Sequence, residues 1–164
     1  MINNILSLVH NKLLVGGLFC DFQRAFDCLN HEILLSNMRF YGILDIANKL
    51  IKSYLQDRYQ RVLLNIENSN KYFSEWEQLK HGVPQGSILG PLFVLLYINN
   101  LSKIISDKFN SVVFADDTSM IIKNSNPLEF RNNSSEGFRE INEWLQGNLL
   151  PLNYDKTYFF AICN

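Results

Sequence analysis

The segment Lys12 to Asp21 (KLLVGGLFCD) is apolar almost without interruption and ends on an acid. So short and unbroken a run ending on an acid suits a β-strand buried on both faces. Helical signals follow. From His31 to Tyr41, Ile33, Leu34, Leu35, Met38 and Tyr41 fall near helical spacing, and Gly42 stands where such a helix stops. A second helix is predicted from about Leu44 to Leu55. Arg61 to Glu67 and Lys71 to Trp76 resemble a hairpin that turns at Asn68-Ser69-Asn70. Gly82-Val83-Pro84-Gln85-Gly86 is loop chemistry, and Ser87 can cap a following helix that holds Pro91 in its first turns. Ser111 to Phe114 and Thr118 to Ile122 are β-prone runs joined by Ala115-Asp116-Asp117, a length that suits a hairpin loop. Pro127 to Gly147 presents Phe130, Phe138, Ile141, Trp144 and Leu145 as one apolar helical face, and a last strand is expected near Thr157 to Ile162. This order predicts an α+β fold, a sheet with helices on one face.

Composition sets the bounds. With 164 residues, 47% hydrophobic and 13% aromatic, the chain has the size of one domain and can bury a core, so intrinsic disorder is excluded. Fifteen Lys+Arg against sixteen Asp+Glu give a net charge of −1. That argues against a free-standing nucleic-acid binder, though not against a piece of one. The longest apolar run, Ile88 to Ile98, contains Gly90 and Pro91 and is too short to span a bilayer, so no membrane association is expected. No basic segment precedes an apolar start, so no secretory signal is expected either. The location is read as intracellular, nuclear or cytoplasmic, and the patterns at Asn100-Leu101-Ser102 and Asn132-Asn133-Ser134 carry no weight as glycosylation sites. Cys20, Cys28 and Cys163 show no CxxC spacing, and with only His10, His31 and His81 beside them no zinc pattern closes. They read as three apolar thiols in a reducing compartment.

The chemistry lies in the acids. Asp21 ends a buried strand, and Asp116 and Asp117 sit at a hairpin tip beside apolar residues. Adjacent like charges next to a core are costly unless something neutralises them. A bound cation does so, and hard oxygen ligands select Mg²⁺ or Mn²⁺. If strand and hairpin are neighbours in one sheet, three carboxylates converge as two-metal chemistry at a phosphate requires. Asp also ends strands and fills turns for purely local reasons. Spacing alone therefore leaves a metal-dependent nuclease and a sugar-nucleotide transferase open.

Longer stretches carry a resemblance. Cys20 to His31 (CDFQRAFDCLNH) resembles motif A of the reverse transcriptases of non-LTR, LINE-like retrotransposons. Gly82 to Pro91 (GVPQGSILGP), continuing into Tyr97-Ile98-Asn99, resembles their motif B, and Phe114-Ala115-Asp116-Asp117-Thr118 their motif C. Trp144-Leu145, Asn148, Leu150, Leu152-Asn153 and Lys156-Thr157 resemble motif D and its approach, and Ser53-Tyr54-Leu55 with Arg58, Gln60 and Val62 match the stretch between A and B. The resemblance covers about Leu14 to Ala161. It implies a polymerase palm, an antiparallel sheet with helices on one face around a ferredoxin- or RRM-like core. It also implies RNA-directed DNA polymerase activity: a primer 3′-OH attacks the α-phosphate of a dNTP on an RNA or DNA template, with two Mg²⁺ or Mn²⁺ ions. Asp21, Asp116 and Asp117 would be the catalytic and metal-binding acids, with the backbone carbonyl of Phe22 as a further oxygen. Phe26 would lie under the incoming sugar and exclude a 2′-OH, Pro84, Gln85 and Gly86 would contact nucleotide and template, and Lys156 would serve the leaving pyrophosphate.

Departures are few: Asn100 replaces a common Asp, Leu149 a frequent Lys or Arg, and Phe93-Val94 a more usual Leu-Phe. Residues 1–164 are expected to be a partial reverse transcriptase domain. Relative to the family, the N-terminal part of the fingers, the thumb and the frequent endonuclease are not in it, so the chain alone is expected to be inactive. The local surplus of Lys49, Lys52, Arg58 and Arg61 against Asp57 could meet a nucleic-acid backbone or form a solvated face. The alternative to a polymerase palm is a truncated or domesticated remnant that folds and at most binds a partner.

Overall fold

A computed structural model of the chain describes His10 and residues 13–66, 70–105, 109–114 and 117–162. The first half runs β1 (Leu14–Asp21), α1 (Ala25–Cys28), α2 (His31–Phe40), α3 (Asp45–Leu55), β2 (Tyr59–Gln60), β3 (Leu63–Ile66), β4 (Asn70–Phe73) and β5 (Glu77–Gln78). The second runs α4 (Leu89–Ile98), α5 (Leu101–Ile104), β6 (Asn110–Phe114), β7 (Asp117–Asn124), α6 (Pro127–Gly147), a 3₁₀ turn (Tyr154–Lys156) and β8 (Tyr158–Ile162). The expected turn at Asn68-Ser69-Asn70 lies mostly outside the described residues, and β4 begins at Asn70.

Four strands form the central sheet in the order β6-β7-β1-β8, with every pairing antiparallel. On one side, Leu18, Cys20, Met120 and Ile122 are buried against Phe130, Ile141, Trp144 and Leu145 of α6. Burying each large apolar side chain is worth about 1.5–3 kcal/mol, so this contact holds α6 against β1 and β7. Gly137 brings the helix close: a Cβ there would stand 2.8 Å from Met120 Sδ. Phe93, Val94, Tyr97 and Ile98 of α4 and Leu34, Leu35 and Met38 of α2 extend the same core.

Local chemistry sets the helix starts. The Asn30 side-chain oxygen accepts from the N–H groups of Glu32 (2.9 Å) and Ile33 (3.1 Å) at the head of α2. Asn126 accepts from Leu128 N–H at 2.9 Å, with Pro127 in the first turn of α6. Ser87 Oγ accepts from Gly90 N–H at 3.0 Å, as its capping role predicts.

The expectation that β1 is buried on both faces fails at one end. Phe19 is 37% exposed, and the side of the sheet away from α6 is open there. The run reads as doubly buried because Gly16 and Gly17 carry no side chain of their own. A Cβ on Gly16 would meet the Phe130 ring at 2.7 Å, and one on Gly17 would collide with the Phe160 ring. Phe160 covers Gly17 and stacks on Phe19 with ring centroids 5.6 Å apart.

Candidate active site

The open end of the sheet holds two of the predicted acids, Asp21 and Asp117. The β1–β7 register sets Asp21 directly across from Asp117, and directly opposed residues of antiparallel strands have Cα atoms about 4.5–5.5 Å apart. Asp116 lies outside the described residues. By the two-residue strand period Asp21 shares the open face with Phe19. A cleft of about 210 Å³ there is lined by Phe19, Cys20, Asp21, Thr118, Ser119 and Lys156.

The 3₁₀ turn and the residue before it pass alongside the end of β1 and bring two more groups. Asn153 N–H donates to the Asp21 carbonyl at 2.9 Å, and Asn153 Nδ2 donates to Asp21 Oδ2 at 2.8 Å. Lys156 Nζ stands 4.0 Å from the same carboxylate oxygen, with its side chain 67% exposed against 19% for Asp21. At that distance and exposure the ion pair is screened and worth little to stability. It does place an exposed cationic donor beside the acid.

Phe22 is 2% exposed, so its side chain belongs to the core and only its backbone can face the site. Phe26 is half-buried in α1, and its carbonyl accepts from Val83 N–H at 2.8 Å, which ties motif A to the loop of motif B. In that loop Gly82 and Gly86 both take positive φ, at 79° and 78°. Gln85 Nε2 donates to Asp27 Oδ1 at 2.9 Å. Pro84 and Gln85 line a larger cleft of about 740 Å³ with Asp27, Arg58, Lys80 and His81. This cleft and the one at Asp21 share no lining residue: Pro84 and Gln85 line one, Asp21 and Lys156 the other.

Of the basic surplus, Arg58 lines the larger cleft, whereas the Arg61 guanidinium lies over the Phe73 and Trp76 rings at 4.0 and 4.6 Å. Asn153 and Asp27 were not predicted as site residues. Asn153 sits in the motif D stretch, where only the lysine invites a chemical role, and its partner is 132 residues away. Cys20 is buried and desolvation pushes its thiol up to about 12, as an apolar thiol should behave, while Cys163 lies outside the described residues.

Asp21 is the acid that lines the cleft, and Asp117 faces it in the register; carboxylate oxygens are the donor class that suits Mg²⁺ or Mn²⁺ and not softer metals. Among the described residues no three His, Cys, Asp or Glu side chains gather as a metal group, and the third predicted acid, Asp116, is not among them.

The mixed helix and antiparallel-sheet fold is shared with solved telomerases. The chain superposes on apo telomerase from Candida tropicalis, truncated from its C-terminal domain, with a TM-score of 0.67 and 17% identity over 98% of this chain and 34% of that one. Telomerase from Candida albicans in complex with a TWJ fragment of telomeric RNA gives 0.63 and 17% over 97% and 30%. The chain belongs to the reverse transcriptase (RNA-dependent DNA polymerase) family, whose pattern matches residues 4–162. Its relatives are polymerases of non-LTR elements. It is 28% identical to the probable RNA-directed DNA polymerase from transposon BS of Drosophila melanogaster, over 94% of this chain and 17% of that protein. It is 26% identical to the RNA-directed DNA polymerase from mobile element jockey of the same organism, over 100% and 18%. The chain thus spans less than a fifth of the length of these relatives.

Proposed function

We propose that this chain is the catalytic palm of an RNA-directed DNA polymerase, which joins a deoxynucleoside triphosphate to a primer 3′-OH on an RNA or DNA template. One observation carries the reading: the register that sets Asp21 opposite Asp117 at the open end of the sheet. Asp21, Asp117 and Asp116 would hold two Mg²⁺ or Mn²⁺ ions. Such ions, when bound, lower the pKa of the attacking hydroxyl and offset charge on the leaving pyrophosphate.

The chain's own residues do the rest. The acids concentrate negative charge at the sheet end, which by itself repels a triphosphate and makes the site dependent on cations. Phe22 contributes its backbone carbonyl, the side chain being committed to the core. Phe26, held beneath the motif B loop by the Val83 bond, offers a ring that leaves no room for a 2′-OH. Pro84, Gln85 and Gly86 form the wall for base and template, with the Gln85 amide able to donate and accept once it leaves Asp27. Lys156, exposed and beside Asp21, can swing to give its proton to the leaving group.

The test is primer extension on an RNA template with Mg²⁺ and dNTPs, with the chain joined to the flanking segments of the transposon BS relative. Extension by the parent and its loss in Asp21→Asn and Asp117→Asn, with template binding retained, is the expected result. Extension retained by Asp21→Asn contradicts the proposal. No extension by the intact joined protein favours the remnant reading.

A further inference from the structure

We infer that Asn153 is a positioning residue for the proposed cation site, holding the orientation of the Asp21 carboxylate at the strand end where Asp117 stands opposite in the register. This rests on the proposed function. Asn153 meets Asp21 twice, through its backbone N–H to the Asp21 carbonyl (2.9 Å) and through its amide to Oδ2 (2.8 Å). The first bond is sufficient to dock the returning chain on β1. The second therefore has a separate consequence: it is charge-assisted and about twice as strong as a neutral bond, and it sets the side-chain torsions of an acid at the last position of its strand.

The amide orientation follows from the chemistry, because an Asn oxygen aimed at a carboxylate would repel it. Asn153 is itself braced. Its carbonyl accepts from Thr157 Oγ1 at 2.7 Å and from Lys156 N–H at 3.2 Å, closing the 3₁₀ turn beneath it. The amide thus sits on a tight turn rather than a free loop. Lys156 approaches the same oxygen, Oδ2, so the two donors hold one side of the carboxylate. Partners that orient a metal-binding carboxylate typically carry about 10–100-fold in metal affinity.

The experiment measures Mn²⁺ binding to the 164-residue chain from the paramagnetic resonance signal of the free aquo ion. The parent should bind, and Asp21→Asn should bind more weakly but still measurably. Asn153→Leu, which keeps the shape and removes the donor, should weaken it about 10–100-fold, and Asn153→Ser should recover part of the loss. In an Asp21→Asn background, Asn153→Leu should cause no further loss, since its effect passes through Asp21. Asn153→Ala serves the same comparison if leucine lowers the melting temperature. Parent-like binding by Asn153→Leu and Asn153→Ala overturns the inference while the Asp21 result upholds the metal site. An equal loss in both backgrounds makes Asn153 merely structural and also overturns it. Absence of any Asp21-dependent binding in the parent overturns the inference together with the proposed function.

Discussion

Gly82→Ala tests how the motif B loop is seated on motif A. Gly82 has φ +79°, and a Cβ there would stand 2.8 Å from the Asp27 carbonyl oxygen, 2.9 Å from its Cα and 3.0 Å from its carbonyl carbon. All three are backbone atoms, which cannot rotate away. The loop is pinned against that backbone from both sides. Gly82 N–H donates to the Leu29 carbonyl at 2.8 Å, and His31 Nε2 donates to the Gly82 carbonyl at 2.7 Å. Gly86 is the internal control, with φ +78° and nothing within 4 Å of its Cβ position. A left-handed alanine costs about 1–2 kcal/mol at either site, less about 0.4–1 kcal/mol from the stiffer unfolded chain. Gly86→Ala should therefore destabilise by about 1 kcal/mol. Gly82→Ala adds the forced backbone shift, about 1–3 kcal/mol, and should lose roughly 2–4 kcal/mol. Urea unfolding reads the difference directly. At a slope of about 1–3 kcal/mol/M the midpoints should separate by about 1 M. Coincident midpoints for the two variants would refute the close approach and with it the placement of the loop over Asp27.

Three further outcomes follow from single contacts. Tyr97 is fully buried, its hydroxyl donates to the Asn148 carbonyl at 2.6 Å and accepts from Asn30 N–H at 3.4 Å, so Tyr97→Phe should cost about 1–2 kcal/mol in chemical denaturation. Leu149 holds φ +55° at the end of α6 and is exposed, so Leu149→Gly should be neutral to stabilising by about 1 kcal/mol in the same assay. An unfolded thiol ionises near 9.0, whereas burial keeps the Cys20 proton until about 12. Its contribution is complete below pH 9 and is lost as pH climbs from 9 towards 12; Cys20→Val should flatten that part of the stability profile, and thiol reagents should label the less buried Cys28 first.

The long elements were legible because several signals agreed. Pro127 to Gly147 was predicted with the bounds it has from a sustained apolar face, and the structure adds the Asn126 cap and the proline in its first turn. The first strand and the helices His31–Phe40 and Asp45–Leu55 followed from apolar runs and turn chemistry, whereas the adjacency of strand and hairpin, left conditional in the sequence, is supplied by the β1–β7 pairing. The pieces missed were small or non-local. Two-residue strands such as Tyr59–Gln60 and Glu77–Gln78 are too short for any period to show. α1 spans only Ala25–Cys28 and starts from Arg24 at φ 50°, a conformation that nothing in Gln23-Arg24 announces. The open face at Phe19 was misread because the strand's glycines are covered by rings from Phe130 and Phe160, more than a hundred residues away in the chain. Asn153 and the Gln85–Asp27 pair escaped for the same reason, since a hydrogen bond between distant segments has no periodic trace. Asn100, a departure from the family pattern, proves to be a structural group: its side-chain oxygen accepts from the Tyr41 hydroxyl at 2.7 Å.

The central claim is that acids from β1 and from the β6–β7 hairpin jointly bind divalent cations. Anomalous diffraction from crystals of this chain grown with Mn²⁺ tests it most directly. The account predicts a manganese peak between the Asp21 and Asp117 carboxylates that disappears in Asp21→Asn; a well-ordered sheet end without such a peak, or manganese held only by acids elsewhere, would contradict it.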